Sequence, residues 1–400
     1  MTLREYIEQE IRDRGPIPFS RYMELCLYGA PGGDPAGYYS RSQEQFGKTG
    51  DFYTSSDVHA VFGRLLARQF EEMWRALDSP QRIDLVELGP GRGLFAQDVL
   101  DWSVKKFPEL ARALRYTLVE SSTELARRLR ERFADRIASG TVKVAASLDE
   151  LRGPYDNAVV FANEFFDALP VEIVADRGQV YVDAEQGRFV ERFRRPSSAA
   201  RDFLDRYGML PGEGERVEAC SAALHWIKTI SAVMRRGFTV LIDYGYTREE
   251  QLAGRHRDTL MTYRRHSAGT NPYEAPGEQD ITAHVNFTAL QQAGMAVGLE
   301  PLALMTQAQF LMGIGEENQF ADAFEGCQLP QERAKVALQL KHVATPVGMG
   351  EVFNALLMGK RIDERTAKKL SGLKFARSHE GETRNQGQKA KRLLMQRHPG

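Results

Sequence analysis

Residues 83–94 read Ile83-Asp84-Leu85-Val86-Glu87-Leu88-Gly89-Pro90-Gly91-Arg92-Gly93-Leu94, and this stretch decides the fold. Ile83–Leu88 is a short apolar strand ending at glycine, and Leu94–Val104 has helical spacing. Glycine lets a chain turn sharply and approach a ligand without a Cβ clash. Glycines 89, 91 and 93 sit where that freedom serves a nucleotide-type ligand, between strand and helix. The spacing is E-x-G-x-G-x-G. A dinucleotide pyrophosphate loop, G-x-G-x-x-G, would want glycine at position 94, where Leu94 stands, so a nicotinamide dehydrogenase is disfavoured. S-Adenosylmethionine (SAM) carries no phosphate, and the loop need only pass close to its methionine and ribose parts. The loop is therefore expected to cradle SAM. Glu87 is placed to hold the methionine ammonium, directly or through water. Glu120, ending the second strand, is placed to accept from the ribose hydroxyls. The plainer readings are a tight turn for the glycines and an exposed strand-end carboxylate for Glu120, and the second stays open.

Working outward, strands alternate with helices. Arg115–Glu120 is a strand and Ser122–Phe133 a helix. Val142–Ala145 is a strand and Leu148–Leu151 helical. Ala158–Ala162 is an apolar strand buried on both faces. That rhythm predicts an α/β fold with a parallel sheet wound by right-handed crossovers. Residues 171–193 alternate like a β-meander and read as an insertion. A helix near 219–235 follows, and Phe238–Ile242 resumes the sheet. Residues 246–280 read as irregular, 280–290 as leading into a helix, and 300–305 as a last strand. Upstream lie a polar amphipathic helix at 2–14, a second helix at 18–27, an irregular stretch at 29–57 and a helix at 58–77. The expected division is an N-terminal helical and lid segment (1–78), then a main domain (79–320) with insertions at about 171–235 and 246–280. A C-terminal part of the same unit (321–360) and a basic tail (361–400) complete it.

Composition limits the function. A net charge of −1 makes nucleic acid an unexpected partner. Cys26, Cys220 and Cys327 are far apart and form no CxxC, so neither a metal nor a disulfide framework is expected. No apolar run reaches membrane-spanning length. The N-terminal helix pattern has no apolar signal core and contains Glu5, Glu8 and Glu10; the expected compartment is the cytoplasm. The tail from Arg361 carries 11 Lys/Arg against 4 Asp/Glu and reads as a solvated end.

The loop after the fourth strand is Asn163-Glu164-Phe165-Phe166-Asp167-Ala168-Leu169-Pro170. In an open parallel sheet, ligands sit beyond the C-terminal strand ends, so this loop should face the transferable methyl. It keeps an Asn but lacks the following prolines that often accompany amide or base-amine methylation. A carboxylate beside aromatics suits a cationic acceptor such as guanidinium, which it can orient toward the sulfonium. Glu164 takes that orienting role, with Asp167 as helper and Asn163 beside it. Phe165 and Phe166 read as core, and Asp167 capping a helix from Ala168 is the plainer alternative.

Several segments together resemble the MidA-like methyltransferases, a family that includes the mitochondrial complex I assembly methyltransferase. They are Gly15-Pro16-Ile17, Leu27-Tyr28, Gly37-Tyr38-Tyr39, Gly50 to Ser55, Glu87 to Gly93 and Asn163 to Pro170. The match continues with Ile242 to Gly245, Asp280 to Phe287, Gln309-Phe310-Leu311 and Met349 to Phe353. The resemblance runs from about residue 3 to about 358. The GDFYTS, NEFFDALP and DITAHVNF stretches are its most specific parts. It implies a Rossmann-like SAM-dependent methyltransferase fold with an N-terminal helical segment and inserted lobes. It also implies N-methylation of arginine on a protein substrate, by analogy a respiratory NADH dehydrogenase subunit, with symmetric dimethylarginine as the mitochondrial relative's product. By the same analogy Gly50–Ser55 would close over the cofactor, with Asp51 and Thr54 offering polar contacts. Asp243 and Tyr244 would line the pocket. His284 belongs to the matching segment, but a single histidine is more often structural than catalytic. Asp258 stands where the family tends to have Gly, and Asn354 where Lys is common. A SAM-binding assembly chaperone without turnover and a small-molecule methyltransferase remain alternatives, and a homodimer remains open.

Overall fold

The computed structural model describes residues 1–41, 60–264, 267–344, 350 and 352–376. Its centre is a mixed sheet in the spatial order Glu300–Thr306, Phe353–Lys360, Met234–Tyr246, Tyr155–Asn163, Ile83–Leu88, Leu114–Val119, Val142–Ala145. Numbered along the chain, that order is 6-7-5-4-1-2-3. The first five strands pair in parallel, as the alternation of strands and helices predicts. Phe353–Lys360 runs antiparallel to both of its neighbours. Two expectations are corrected here: the sheet is not wholly parallel, and Glu300–Thr306 is not the last strand. The final strand inserts between Glu300–Thr306 and Met234–Tyr246. After Phe353 and Asn354 it runs Ala355-Leu356-Leu357-Met358, a continuous apolar stretch buried on both faces.

Helices cover both faces of the sheet because every residue of Ile83–Leu88 is buried. Strand residues alternate between the two sides. Ile83 and Leu85 pack with helices Ala60–Ala76, Leu94–Lys106 and Gln307–Glu316. Val86 and Leu88 pack with helices Ser221–Ala232 and Phe287–Ala296 on the opposite side.

The meander forms Glu172–Ala175, Gly178–Glu185 and Arg188–Arg194, as its alternation predicts. It builds a second sheet together with Arg216–Ala219 and, from the N-terminus, Ile17–Pro18. Helices Leu3–Arg14 and Phe19–Tyr28 pack on this sheet, burying Ile7, Ile11, Phe19, Tyr22 and Met23 against Val180, Val182 and Phe189. The helix Ala60–Ala76 instead joins the core of the central sheet. The stretch 246–280, read as irregular, contains helix Arg248–Leu252 and strands Met261–Arg264 and Ser267–Gly269; Met261–Arg264 pairs with both Ser267–Gly269 and Asp280–Thr282 in a small third sheet.

The resemblance stops near residue 358, yet the chain stays packed beyond it. The Ser371 N–H and hydroxyl both donate to buried Glu72 at 2.8 Å, and the Gly372 N–H donates to Gln69 at 3.0 Å. Residues 377–400, most of the basic tail, lie outside the described residues. No described helix is long and apolar enough to cross a membrane.

Candidate active site and cofactor cleft

A cavity of about 900 Å³ opens at the C-terminal ends of the parallel strands, where ligands of open α/β sheets bind. It is lined by Gly89, Pro90, Gly91, Arg92, Leu94, Val119, Glu120, Ser121 and Ser147 from the glycine loop and the strand ends beside it, and by Asn163, Glu164, Phe165, Asp167, Tyr28, Tyr39, Trp226 and Asp280.

The three glycines all have positive φ, at +61°, +52° and +74°. Their reasons differ. A Cβ on Gly89 would meet the Phe165 ring at 2.9 Å. A Cβ on Gly93 would meet Leu129 at 2.7 Å and Phe133 at 2.8 Å. Gly93 is thus demanded by helix packing, whereas Gly91 lines the cavity.

Glu120 also lines the cavity. It accepts from the Ser122 N–H at 2.8 Å, and burial raises its carboxyl to about 7 against that donor. Glu87 is a correction. It lies on the same strand face as Ile83 and Leu85, so its carboxyl enters the core below the cleft and is not among the cavity-lining groups. There it accepts from the Tyr116 hydroxyl at 2.8 Å, and burial pushes it up to about 8. The ammonium-holding role read for Glu87 does not match this geometry.

The loop from Asn163 is built around Asp243. Asp243 Oδ2 accepts from the N–H groups of Phe165 (3.2 Å), Phe166 (2.9 Å) and Asp167 (3.3 Å), and Oδ1 from that of Tyr244 (2.9 Å). Burial and the nearby Asp167 and Glu164 raise the Asp243 pKa well above its ordinary value. Asp243 does not line the cavity; it fixes the loop that does. Glu164 sits at φ +52°, left-handed backbone that costs a non-glycine residue on the order of 1 kcal/mol. The turn is held by the Glu164 N–H donating to Ile242 O at 2.9 Å. Glu164 Oε1 accepts from the Asn163 amide at 3.0 Å, which leaves Asn163 Oδ1 buried without a hydrogen-bond partner.

Asp167 precedes no helix: residues 167 and 168 form a turn, so the capping alternative falls away. Burial raises its carboxyl to about 6, against a bond from the Tyr244 hydroxyl, and Oδ1 has no partner. Tyr244 therefore acts on the site through Asp167. His284 stands behind Tyr244, with rings edge-on at 5.3 Å, and pairs Nδ1 to Nδ1 with His256 at 3.1 Å. Burial and His256 push His284 down to about 4, and it does not line the cavity. Phe166 is core, as read, but Phe165 lines the cavity, edge-on to Trp226 at 4.9 Å.

The residues that sequence reasoning missed are Tyr28, Tyr39, Trp226 and Asp280, all on the cavity wall. Tyr28 donates to Ala168 O at 3.0 Å and Tyr39 to Asp280 Oδ1 at 2.8 Å. Tyr28, Tyr39 and Asp280 lay in segments that carried the family resemblance, which was a signal available beforehand; Trp226 had none. Asp258, in place of the family's glycine, has φ +52°, a conformation that Asp tolerates better than most residues. Asn354 donates to Gly245 O at 3.3 Å. Asp51 and Thr54 lie outside the described residues. Among the described residues no cluster of three or more His, Cys, Asp or Glu could hold a metal ion.

The cleft fits SAM. Asn163 Oδ1 is an orphaned acceptor suited to an ammonium, Glu120 to ribose hydroxyls, and Val119, Leu125 and Ala146 to an adenine ring. Comparison with known proteins agrees. Residues 65–305 match the family described as "Putative S-adenosyl-L-methionine-dependent methyltransferase". A "likely methyl transferase" from Burkholderia thailandensis, solved bound to S-adenosyl-homocysteine, superposes with a TM-score of 0.77 at 30% identity, covering 94% of this chain and 96% of that one. The Drosophila melanogaster "Protein arginine methyltransferase NDUFAF7 homolog, mitochondrial" is 28% identical over 89% of this chain and 84% of its own length. The human "Protein arginine methyltransferase NDUFAF7, mitochondrial" is 27% identical over 89% and 83%. With the matched region spanning more than half of the chain and the cleft suited to the same ligand, the protein belongs to this family of SAM-dependent methyltransferases, and SAM is its cofactor.

Proposed function

We propose that the protein is a class I methyltransferase that N-methylates arginine on a protein substrate. The observation that carries this reading is the part of the cavity wall built around the loop from Asn163, next to the glycine loop. It gathers the carboxyl groups of Glu164, Asp167 and Asp280 beside the aromatic rings of Tyr28, Tyr39 and Phe165. Such a wall suits a planar cation, which carboxylates bind by hydrogen bonds and aromatic faces by their quadrupoles. The strand order 6-7-5-4-1-2-3 with an antiparallel seventh strand supports the class, and the names of the curated relatives support the acceptor.

SAM supplies an electrophilic methyl group on a sulfonium. The chain's own residues position the acceptor. Glu164, fixed in its left-handed turn, binds one edge of the guanidinium and orients one nitrogen. Asp167, whose Oδ1 has no hydrogen-bond partner, takes the proton that this nitrogen sheds as it is alkylated. Asp243 and Tyr244 hold the two carboxyls in place. In an in-line transfer this positioning is a large share of the acceleration.

The test is incubation with methyl-labelled SAM and extract proteins, followed by acid hydrolysis and amino-acid analysis. Label in methylarginine supports the proposal. Label in another amino acid, or only in small molecules, rejects the arginine acceptor; saturable SAM binding without transfer favours the chaperone. The resemblance extends the proposal to a respiratory NADH dehydrogenase subunit as the acceptor, which methylation analysis of that complex with and without this protein would check.

A further inference from the structure

A second cavity, about 360 Å³, adjoins the first. The two share Arg21, Glu24, Pro170 and Ala222 as walls, so together they form one path leading from the cofactor cleft out over the second sheet. The outer part is lined by Glu172 and by small side chains that include Ser20, Ser197, Ala199 and Ser221. These come from four separate parts of the chain: helix Phe19–Tyr28, strand Glu172–Ala175, helix Ser198–Tyr207 with its cap, and the start of helix Ser221–Ala232. Its acidic groups are specific. Glu172 Oε1 accepts from the Ser20 hydroxyl at 2.6 Å, while Oε2 is buried and has no hydrogen-bond partner. Arg21, the cation on this wall, is already engaged by both oxygens of Glu10 at 3.0 and 3.1 Å and by Glu24 at 2.7 Å. Of the charged groups that line this cavity, Glu24 and Glu172 outnumber the one arginine, Arg21, which Glu10 also engages.

We infer that this outer cavity is a subsite for the acceptor protein's chain beside the methylated residue, and that it prefers a basic flank. The inference rests on the proposed protein acceptor. Continuity with the cofactor cleft identifies the occupant: whatever chain presents a side chain to Glu164 has its neighbouring residues at Arg21, Pro170 and Ala222. Small walls admit a main chain closely. The unpartnered Glu172 Oε2 asks for a donor, which a lysine or arginine side chain or a backbone N–H supplies.

The experiment uses the full chain saturated with S-adenosyl-homocysteine and nine fluorescein-labelled nonapeptides, read by anisotropy. Three central residues (Arg, Lys, Gln) are each flanked by lysines, glycines or glutamates. Tight binding of lysine-flanked peptides is expected. Glu172→Gln should weaken them roughly three- to tenfold and level the flank preference. Ala199→Trp, at an exposed position, should block the subsite for every peptide while S-adenosyl-homocysteine affinity and thermal unfolding stay unchanged. Flank-independent binding, or variants that bind like the parent, would overturn the subsite and leave the acceptor reading standing. A preference among the central residues judges the arginine assignment separately. Failure of all nine peptides while S-adenosyl-homocysteine binds would overturn both the protein acceptor and the subsite.

Discussion

Asp243→Asn asks whether one buried carboxylate holds the acceptor loop. Asp243 takes three loop N–H groups on Oδ2, from Phe165, Phe166 and Asp167, and the Tyr244 N–H on Oδ1. Asparagine has a single acceptor oxygen. In its better orientation the amide keeps the three loop donors and turns its NH₂ toward the Tyr244 N–H. That N–H is then left without an acceptor, which costs about 1–3 kcal/mol if it stays buried. The three bonds that remain change from charge-assisted to neutral and lose about half their strength, roughly 0.5–1 kcal/mol each. Relief of the repulsion from Asp167 and Glu164 and a smaller desolvation cost offset part of this. The expected net loss is about 2–4 kcal/mol. It is read as a lower urea midpoint at unchanged slope. Methyl transfer should fall by more than about tenfold, because Glu164 is no longer pinned. A variant that unfolds within about 0.5 kcal/mol of the parent would show that the loop does not depend on this carboxylate.

Gly91→Val places a branched side chain at the cavity wall on left-handed backbone, and calorimetric titration should show SAM binding abolished in a folded variant; unchanged affinity would remove this loop from the cofactor site. Gly93→Ala adds a Cβ against Leu129 and Phe133 at φ +74°. Strain of about 1–2 kcal/mol plus overpacking of about 1–3 kcal/mol should make it a stability variant, seen as a lower melting temperature even when SAM is absent. Glu164→Gln should spare SAM binding and cut transfer, and equal activity would take Glu164 out of the mechanism. The last prediction concerns pH. Burial holds Glu87 near 8, well above its unfolded value, so its contribution to stability is full below about pH 4.5 and is lost as pH rises toward 8. Glu120, near 7, acts with the same sign, whereas His284, held near 4, contributes stability above about pH 6.5 that is lost only on acidification. The ligand-free protein should therefore lose stability between pH 6.5 and 8. Glu87→Gln, which can keep the Tyr116 bond, should flatten that slope in denaturant titrations; an unchanged slope would assign the loss to other groups.

The first half of the central sheet was legible because its signals are local. The apolar strand 83–88, the glycines after it and the alternating strands and helices to residue 163 each follow from short-range spacing. The loop after Asn163 could likewise be placed at the cleft, because strand order and direction fix where the C-terminal ends of parallel strands lie. Glu87 shows a limit of reading position without direction. Its place before the glycine turn suggested a ligand contact, yet the period of two sends its carboxyl to the Tyr116 side, away from the cavity.

What only the tertiary structure decided depends on segments distant in sequence. Phe353–Lys360 completes a sheet between strands that precede it by about 50 and 110 residues, a pairing no local pattern specifies. Asp243 lies about 80 residues beyond the loop it fixes, and its role is visible only when the N–H groups of residues 165–167 converge on it. Tyr28, Tyr39 and Asp280 meet at the cavity although some 240 residues separate Tyr39 from Asp280. Local propensity and periodicity therefore determined the cofactor half of this protein. The acceptor half is set by long-range packing and by where buried carboxylates find their donors, and those depend on the folded chain as a whole.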